Sequence, residues 1–187
     1  RYIAQSLSMG VVVSLALTVT GILAAKPLFQ LLGATGEYLT IALSYMNPIF
    51  LGSIFFLISN LSNAILIASG DSKTFSKVLV VGFFLNLILD PWFLYGGFGL
   101  PAMGIAGIAW ATVVIQIAGS TFMLATVLRR GLLKLKPWQD LLPDLRVYWE
   151  IAQQALPATF NIMSVALGFF VITYFLKFYG EPTVAAF

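Results

Sequence analysis

Charge is almost missing from long stretches of this chain, and that feature restricts its fold more than any other. Residues 2–25, 38–70, 78–128 and 151–176 together contain a single charged side chain, Asp90. A helix needs about 20 apolar residues to cross a hydrocarbon layer of about 30 Å, and each block supplies them. The whole chain is 60% hydrophobic and 9% charged, whereas soluble domains are about one quarter charged. An all-α membrane protein, a polytopic helix bundle, is the expected fold class.

The third block is too long for one crossing. It is broken by Tyr95-Gly96-Gly97-Phe98-Gly99-Leu100-Pro101, a glycine and proline cluster that reads as a turn. Five membrane helices are therefore predicted, at about 3–25, 38–66, 78–95, 103–128 and 151–177. Pro48 predicts a kink in the second, and Pro91 one in the third. The chain opens on Arg1, residues 2–25 are too long for a signal-peptide core, and an apolar restart at 183–187 reads as a further helix. Both ends are thus expected to be cuts in a longer sequence.

Alternate loops sort the basic residues. Arg1, Lys73, Lys77, Arg129, Arg130, Lys134, Lys136 and Arg146 fall on one side, and only Lys26 and Lys177 on the other. Cytoplasmic loops carry the excess of Lys and Arg, so the first and fifth helices run outward. Residues 129–150 form the one extended polar stretch, in which Lys134, Lys136, Asp140, Asp144 and Arg146 alternate with Leu132, Leu133, Trp138, Leu141, Leu142 and Tyr148. This segment reads as a cytoplasmic linker lying partly on the membrane surface, with Trp138, Tyr148 and Trp149 at headgroup level. Basic residues confined to short loops form no face for nucleic acid.

The chain has no cysteine and no histidine, which excludes disulfides, thiol nucleophiles, haem attachment and most transition-metal sites. Chemistry must come from the embedded polar residues. An ionised Asp near the bilayer centre costs about 2.5–3.5 kcal/mol on insertion scales, so something must offset Asp90. Asn86 lies four residues earlier, on the same helix face. Pro91 has no N–H, which leaves the Leu87 carbonyl without its helical partner. Carboxylate, amide oxygen and free carbonyl are hard ligands suited to a proton or a small hard cation. Counted from Val78, Asp90 sits roughly 18 Å along the axis. On the residues alone, a second reading stays open, in which the helix ends at Leu89 and Asp90 merely meets water.

Other small and polar residues sit at helical spacing. Gly104, Gly107 and Ala111 make a close-packing edge beside a stripe of Thr112 and Gln116, and Tyr45, Pro48, Gly52, Ser59 and Asn63 form a second seam. Each alone is explained by helix–helix packing. Their convergence on Asp90 marks Tyr45, Asn63 and Gln116 as candidate substrate-cavity residues.

The order Ala68-Ser69-Gly70-Asp71-Ser72-Lys73, then Asn86-Leu87-Ile88-Leu89-Asp90-Pro91, then Gly104-Ile105-Ala106-Gly107-Ile108-Ala109-Trp110-Ala111-Thr112 resembles the multidrug and toxic compound extrusion (MATE) family. The resemblance implies part of a twelve-helix, two-lobe fold, covering helices three to seven. Residues 1–128 would be the remainder of the amino-terminal lobe, 129–150 the inter-lobe linker, and 151–187 the first helix of the carboxy-terminal lobe with the start of the next. It implies a multi-pass antiporter of the cell membrane that exports small organic, often cationic, compounds in exchange for sodium ions or protons. No other cofactor and no obligate protein partner is implied. Asn86 and Asp90 match the cation-site pair, Thr112 its partner on the next helix, and Tyr45 a tyrosine near that cavity. The aspartate that completes the site in many members has no counterpart in this chain, and 151–176 holds no carboxylate.

Two other functions stand behind this one. A lipid-linked oligosaccharide flippase of the same superfamily would carry basic residues in its cavity, whereas the only embedded charge here is acidic. An intramembrane enzyme would need a paired acid, a metal site, or a nucleophile with its base, and the chain offers no complete set.

Overall fold

The computed structural model of the chain describes residues 2–97, 99–133, 142–176 and 178. Within them lie six helices: α1 (Tyr2–Leu31), α2 (Gly36–Leu51), α3 (Ser53–Ala68), α4 (Lys73–Tyr95), α5 (Ile105–Arg129) and α6 (Leu145–Leu176). α1, α4, α5 and α6 are each long and apolar enough to cross a membrane, and α2 and α3 are so only together, as a pair bent by 49°. By length and composition the described helices allow four crossings, or five where the bent pair counts as one. Arg1, Phe98, Lys134, Lys136, Trp138, Asp140, Leu141, Lys177 and the restart at 183–187 lie outside the described residues.

The bend in the second crossing sits at Gly52, one turn beyond Pro48. Pro48 is buried within α2, and its carbonyl accepts the Gly52 N–H at 2.9 Å. α1 holds the break: Thr18 Oγ1 donates to the Phe50 carbonyl at 2.8 Å, and its oxygen lies 2.9 Å from Ser53 Oγ. A hydroxyl from a neighbouring helix thus satisfies a carbonyl that an unbroken helix would pair internally. Glycine suits the corner because α5 presses on it; a Cβ at Gly52 would come within 2.8 Å of Val113 Cγ2.

Helix ends differ from expectation where local signals were weak. α1 continues through Lys26 and Pro27 to Leu31. The helix of α4 runs unbroken through Pro91 to Tyr95, so Asp90 lies inside it and the reading that ends it at Leu89 fails. The helix of α6 starts at Leu145, inside the predicted linker. Two helix ends stop alike on glycines with positive φ. At Gly70 (φ 88°), Asp71 N–H reaches the Leu66 carbonyl at 2.8 Å; at Gly131 (φ 67°), Leu132 N–H reaches that of Val127 at 3.2 Å.

α5 packs against α2, α3 and α4, whereas α6 touches only α1 among the described helices. Small side chains line the buried face of α5, Gly107, Ala109, Ala111 and Ser120 among them, and allow close approach where lipid supplies no hydrophobic drive. One core cluster, Ala4, Leu66, Met123, Val127 and Leu133, closes the end of the bundle that carries Asp71 and Arg130. Large apolar side chains elsewhere face outward, including Phe83, Phe84, Leu87 and Ile88 on α4 and Phe160, Ile162 and Phe169 on α6. Surface of that kind belongs against lipid or other helices rather than water.

Candidate functional site

Asn86 and Asp90 occupy successive turns of α4, about 6 Å apart at their Cβ atoms. Asn86 Oδ1 and Asp90 Oδ1 are both buried, and neither has a hydrogen-bond partner among the described residues. Buried polar atoms without partners are rare in native structures, because each carries an uncompensated desolvation cost of about 1–3 kcal/mol. Two of them lie one turn apart on a single helix, where no described donor meets them.

Asn86 lines a half-open pocket of about 410 Å³ between α3, α4 and α5, whose other polar walls are Ser59, Asn60, Thr112 and Gln116. The geometry makes this lining rich in acceptors. Thr112 spends its only O–H on the Ile108 carbonyl at 3.0 Å, Asn60 Nδ2 donates to the Phe56 carbonyl at 2.9 Å, and Gln116 Nε2 reaches the Phe55 carbonyl at 3.4 Å. Oxygen is what Thr112 has left for a ligand. Phe56, Phe75 and Phe83 complete the wall with aromatic rings.

The structure thus brings Asn86, Thr112 and Gln116 onto one cavity and puts Asp90 one turn from it. Tyr45 stands on α2, 36% exposed, and does not line that space. Asn63 does not line it either, although its Oδ1 is buried without a partner, like Ser62 Oγ beside it. Asn60 was missed by the sequence reading. It lies one turn from Phe56 and Asn63 in an apolar helix, and its polarity was the available signal.

Gly107 decides how closely α4 and α5 meet beside Asp90. A Cβ there would lie 2.7 Å from the Phe93 backbone carbon. The Phe93 carbonyl also accepts the Met103 N–H at 3.1 Å, which fastens the glycine-rich turn to the end of α4. Among the described residues no three acidic side chains gather in one place. One carboxylate with neutral oxygens around it fits a proton or a singly charged hard cation better than a divalent metal.

Outside the membrane-spanning segments, Asp71 accepts the Thr74 hydroxyl at 2.6 Å and the Thr74 and Lys73 N–H groups at 3.0 Å, and pairs with Arg130 at 2.6 Å. The Thr74 hydroxyl and then the Thr74 amide do most to hold its carboxyl well below the usual carboxylate range. Burial opposes them, and the Lys73 amide and then Arg130 add smaller contributions in the same direction as Thr74. This contact joins the α3–α4 loop to the end of α5, which the sorting of basic loops requires.

The family profile described as MatE matches residues 1–92. The chain is 27% identical over 193 residues to the probable multidrug resistance protein YoeA of Bacillus subtilis, covering 99% of this chain and 41% of that protein. It is 34% identical over 95 residues to the probable multidrug resistance protein NorM of Thermotoga maritima, covering 51% of this chain and 20% of that protein. Among solved structures, an inward-facing multidrug resistance MATE family transporter of the MOP superfamily superposes with a TM-score of 0.81 at 25% identity, over 98% of this chain and 41% of that one. The chain therefore spans about two fifths of the length of YoeA and of this structure.

Proposed function

Because this chain belongs to the MATE family, we propose that the full-length protein is a secondary active antiporter of the cell membrane, exporting small organic, often cationic, compounds in exchange for sodium ions or protons. The observation that carries the proposal is the buried Oδ1 of Asp90, without a partner among the described residues and one turn from that of Asn86, with Asn86 opening onto a pocket of oxygen acceptors and aromatic rings. Asp90 supplies the charge that binds the coupling ion, Asn86 a neutral oxygen, and Thr112 a lone pair from the facing helix. Gln116 and Asn60 with the phenylalanine rings make a surface for an organic cation. Residues 1–129 belong to the amino-terminal lobe, and α6, which starts at Leu145, is the first helix of the other.

Alternating access then follows from competition. With the site open outward, a cation at Asp90 displaces the substrate, and the occupied form rocks inward about the lobe interface. For a neutral substrate, one charge moved inward through 100 mV supplies about 2.3 kcal/mol, which sustains about a fifty-fold gradient; for a singly charged cation the one-for-one exchange moves no net charge, and the concentration gradient of the coupling ion drives export.

The test is dye export from vesicles containing the full-length protein, with a sodium or a proton gradient imposed alone. One gradient drives export against concentration, and Asp90→Asn lowers that export at least about tenfold while leaving downhill leak unchanged. Uphill export by Asp90→Asn at the normal rate would remove Asp90 from the mechanism.

A further inference from the structure

The contact between α1 and α6 is a ladder of side chains at one end of the bundle. Gln5, 1% exposed, makes two main-chain hydrogen bonds: its Nε2 donates to the Leu142 carbonyl at 2.8 Å, and its Oε1 accepts the Asp144 N–H at 3.1 Å. One turn on, Ser8 Oγ meets the Tyr148 hydroxyl at 2.8 Å; one turn back, the Tyr2 hydroxyl donates to Glu150 Oε2 at 2.7 Å. Positions 2, 5 and 8 share one face of α1.

Asp144 also starts α6. Its Oδ1 accepts the Arg146 N–H at 3.0 Å and its carbonyl the Tyr148 N–H at 2.9 Å. Gln5 therefore holds the residue that caps the next helix. Past this point α6 is unsupported by the described helices: it touches none but α1, and no residue of Thr159–Leu176 is buried. A buried amide paired at both ends to main chain is costly to break, since each half left unsatisfied carries a desolvation cost.

We propose that Gln5 is a positioning residue that fixes residues 142–150 to the lobe containing α1, so that lobe rocking is taken up by α6 beyond Glu150 and not by the linker end that joins it. This rests on the alternating-access reading above for the motion, though not for the clasp itself.

The test is a pair of electron-spin distance measurements on the full-length protein, with labels at cysteines replacing Val19 and Trp149, or Val19 and Phe169, all of which are exposed. The Val19–Trp149 distance stays single and narrow with and without coupling ion and a fluorescent cationic dye, while Val19–Phe169 shifts. Gln5→Leu broadens Val19–Trp149 and slows export several-fold. A Val19–Trp149 distance that moves as far as Val19–Phe169, or that stays narrow in Gln5→Leu, overturns the proposal. If neither pair moves, alternating access fails, and the Gln5→Leu broadening alone decides whether the clasp stands.

Discussion

At the end of the bundle that holds Asp71 and Arg130, polar groups are matched and apolar ones packed: the carboxylate of Asp71 has four donors, Gln5 bonds main chain at both ends of its amide, and Leu66, Met123 and Val127 are fully buried. Further along the same helices, Asn63, Asn86 and Asp90 bury oxygens that find no partner among the described residues. The same chain thus satisfies its polar groups in one region and leaves them open in another. Stability is concentrated at the clamped end, and the open oxygens carry a desolvation cost that no described residue offsets.

The comparison can be broken by exchanging its halves, and the largest effect is on transport. Asn86→Leu in the full-length protein removes a buried oxygen without a partner; it should lower ion-driven export about tenfold or more yet keep or raise the melting temperature. A fall in both would mean that Asn86 is structural. Next, Leu66→Ala opens a cavity at the clamped end and should cost about 2 kcal/mol, the low end of the usual range because lipid is as apolar as the core, with export per folded molecule unchanged. Thermal unfolding in detergent beside export per folded molecule separates the two.

A smaller effect sharpens the boundary between the regions. Gly107→Ala meets the Phe93 main chain and should cost about 1–3 kcal/mol, whereas Gly119→Ala meets only Val78 Cγ1 at 3.1 Å and should be tolerated. Equal losses would show that α4 and α5 are not in contact beside Asp90. The smallest effect concerns pH. Since the folded state holds Asp71 below its ordinary value, its stabilisation is complete above the unfolded value, about 3.9, and fades as pH falls below that toward the folded value. Between pH 5 and 8 the difference in melting temperature between wild type and Asp71→Asn should be small and constant. A difference that varies across that range would contradict the hydrogen bonding seen at Asp71.

Much of this was legible in the residues because charge is so scarce. The uncharged blocks mark the apolar helices, and the spacing of Asn86 and Asp90 puts both on one face of α4. What stayed hidden depends on partners far along the chain. Nothing near Gly52 signals that Thr18 of α1 would hold the bend there instead of at Pro48, and nothing near Gln5 names Leu142 and Asp144 as its partners. Pro91 left open a helix that ended at Leu89, yet α4 runs through it to Tyr95, which the membrane tolerates when neighbours compensate. Tyr45 shared a period with the polar seam, but the corner at Gly52 puts α2 in a different direction from α3, and the cavity closes without it.

The central claim is that Asp90 is kept open for a cation, and binding tests it more directly than transport. Sodium titrated into the purified full-length protein at several fixed pH values, with heat and released protons recorded, should show one ion taken up, or one proton exchanged, per molecule in wild type and none in Asp90→Asn. The same stoichiometry in both proteins would contradict the account.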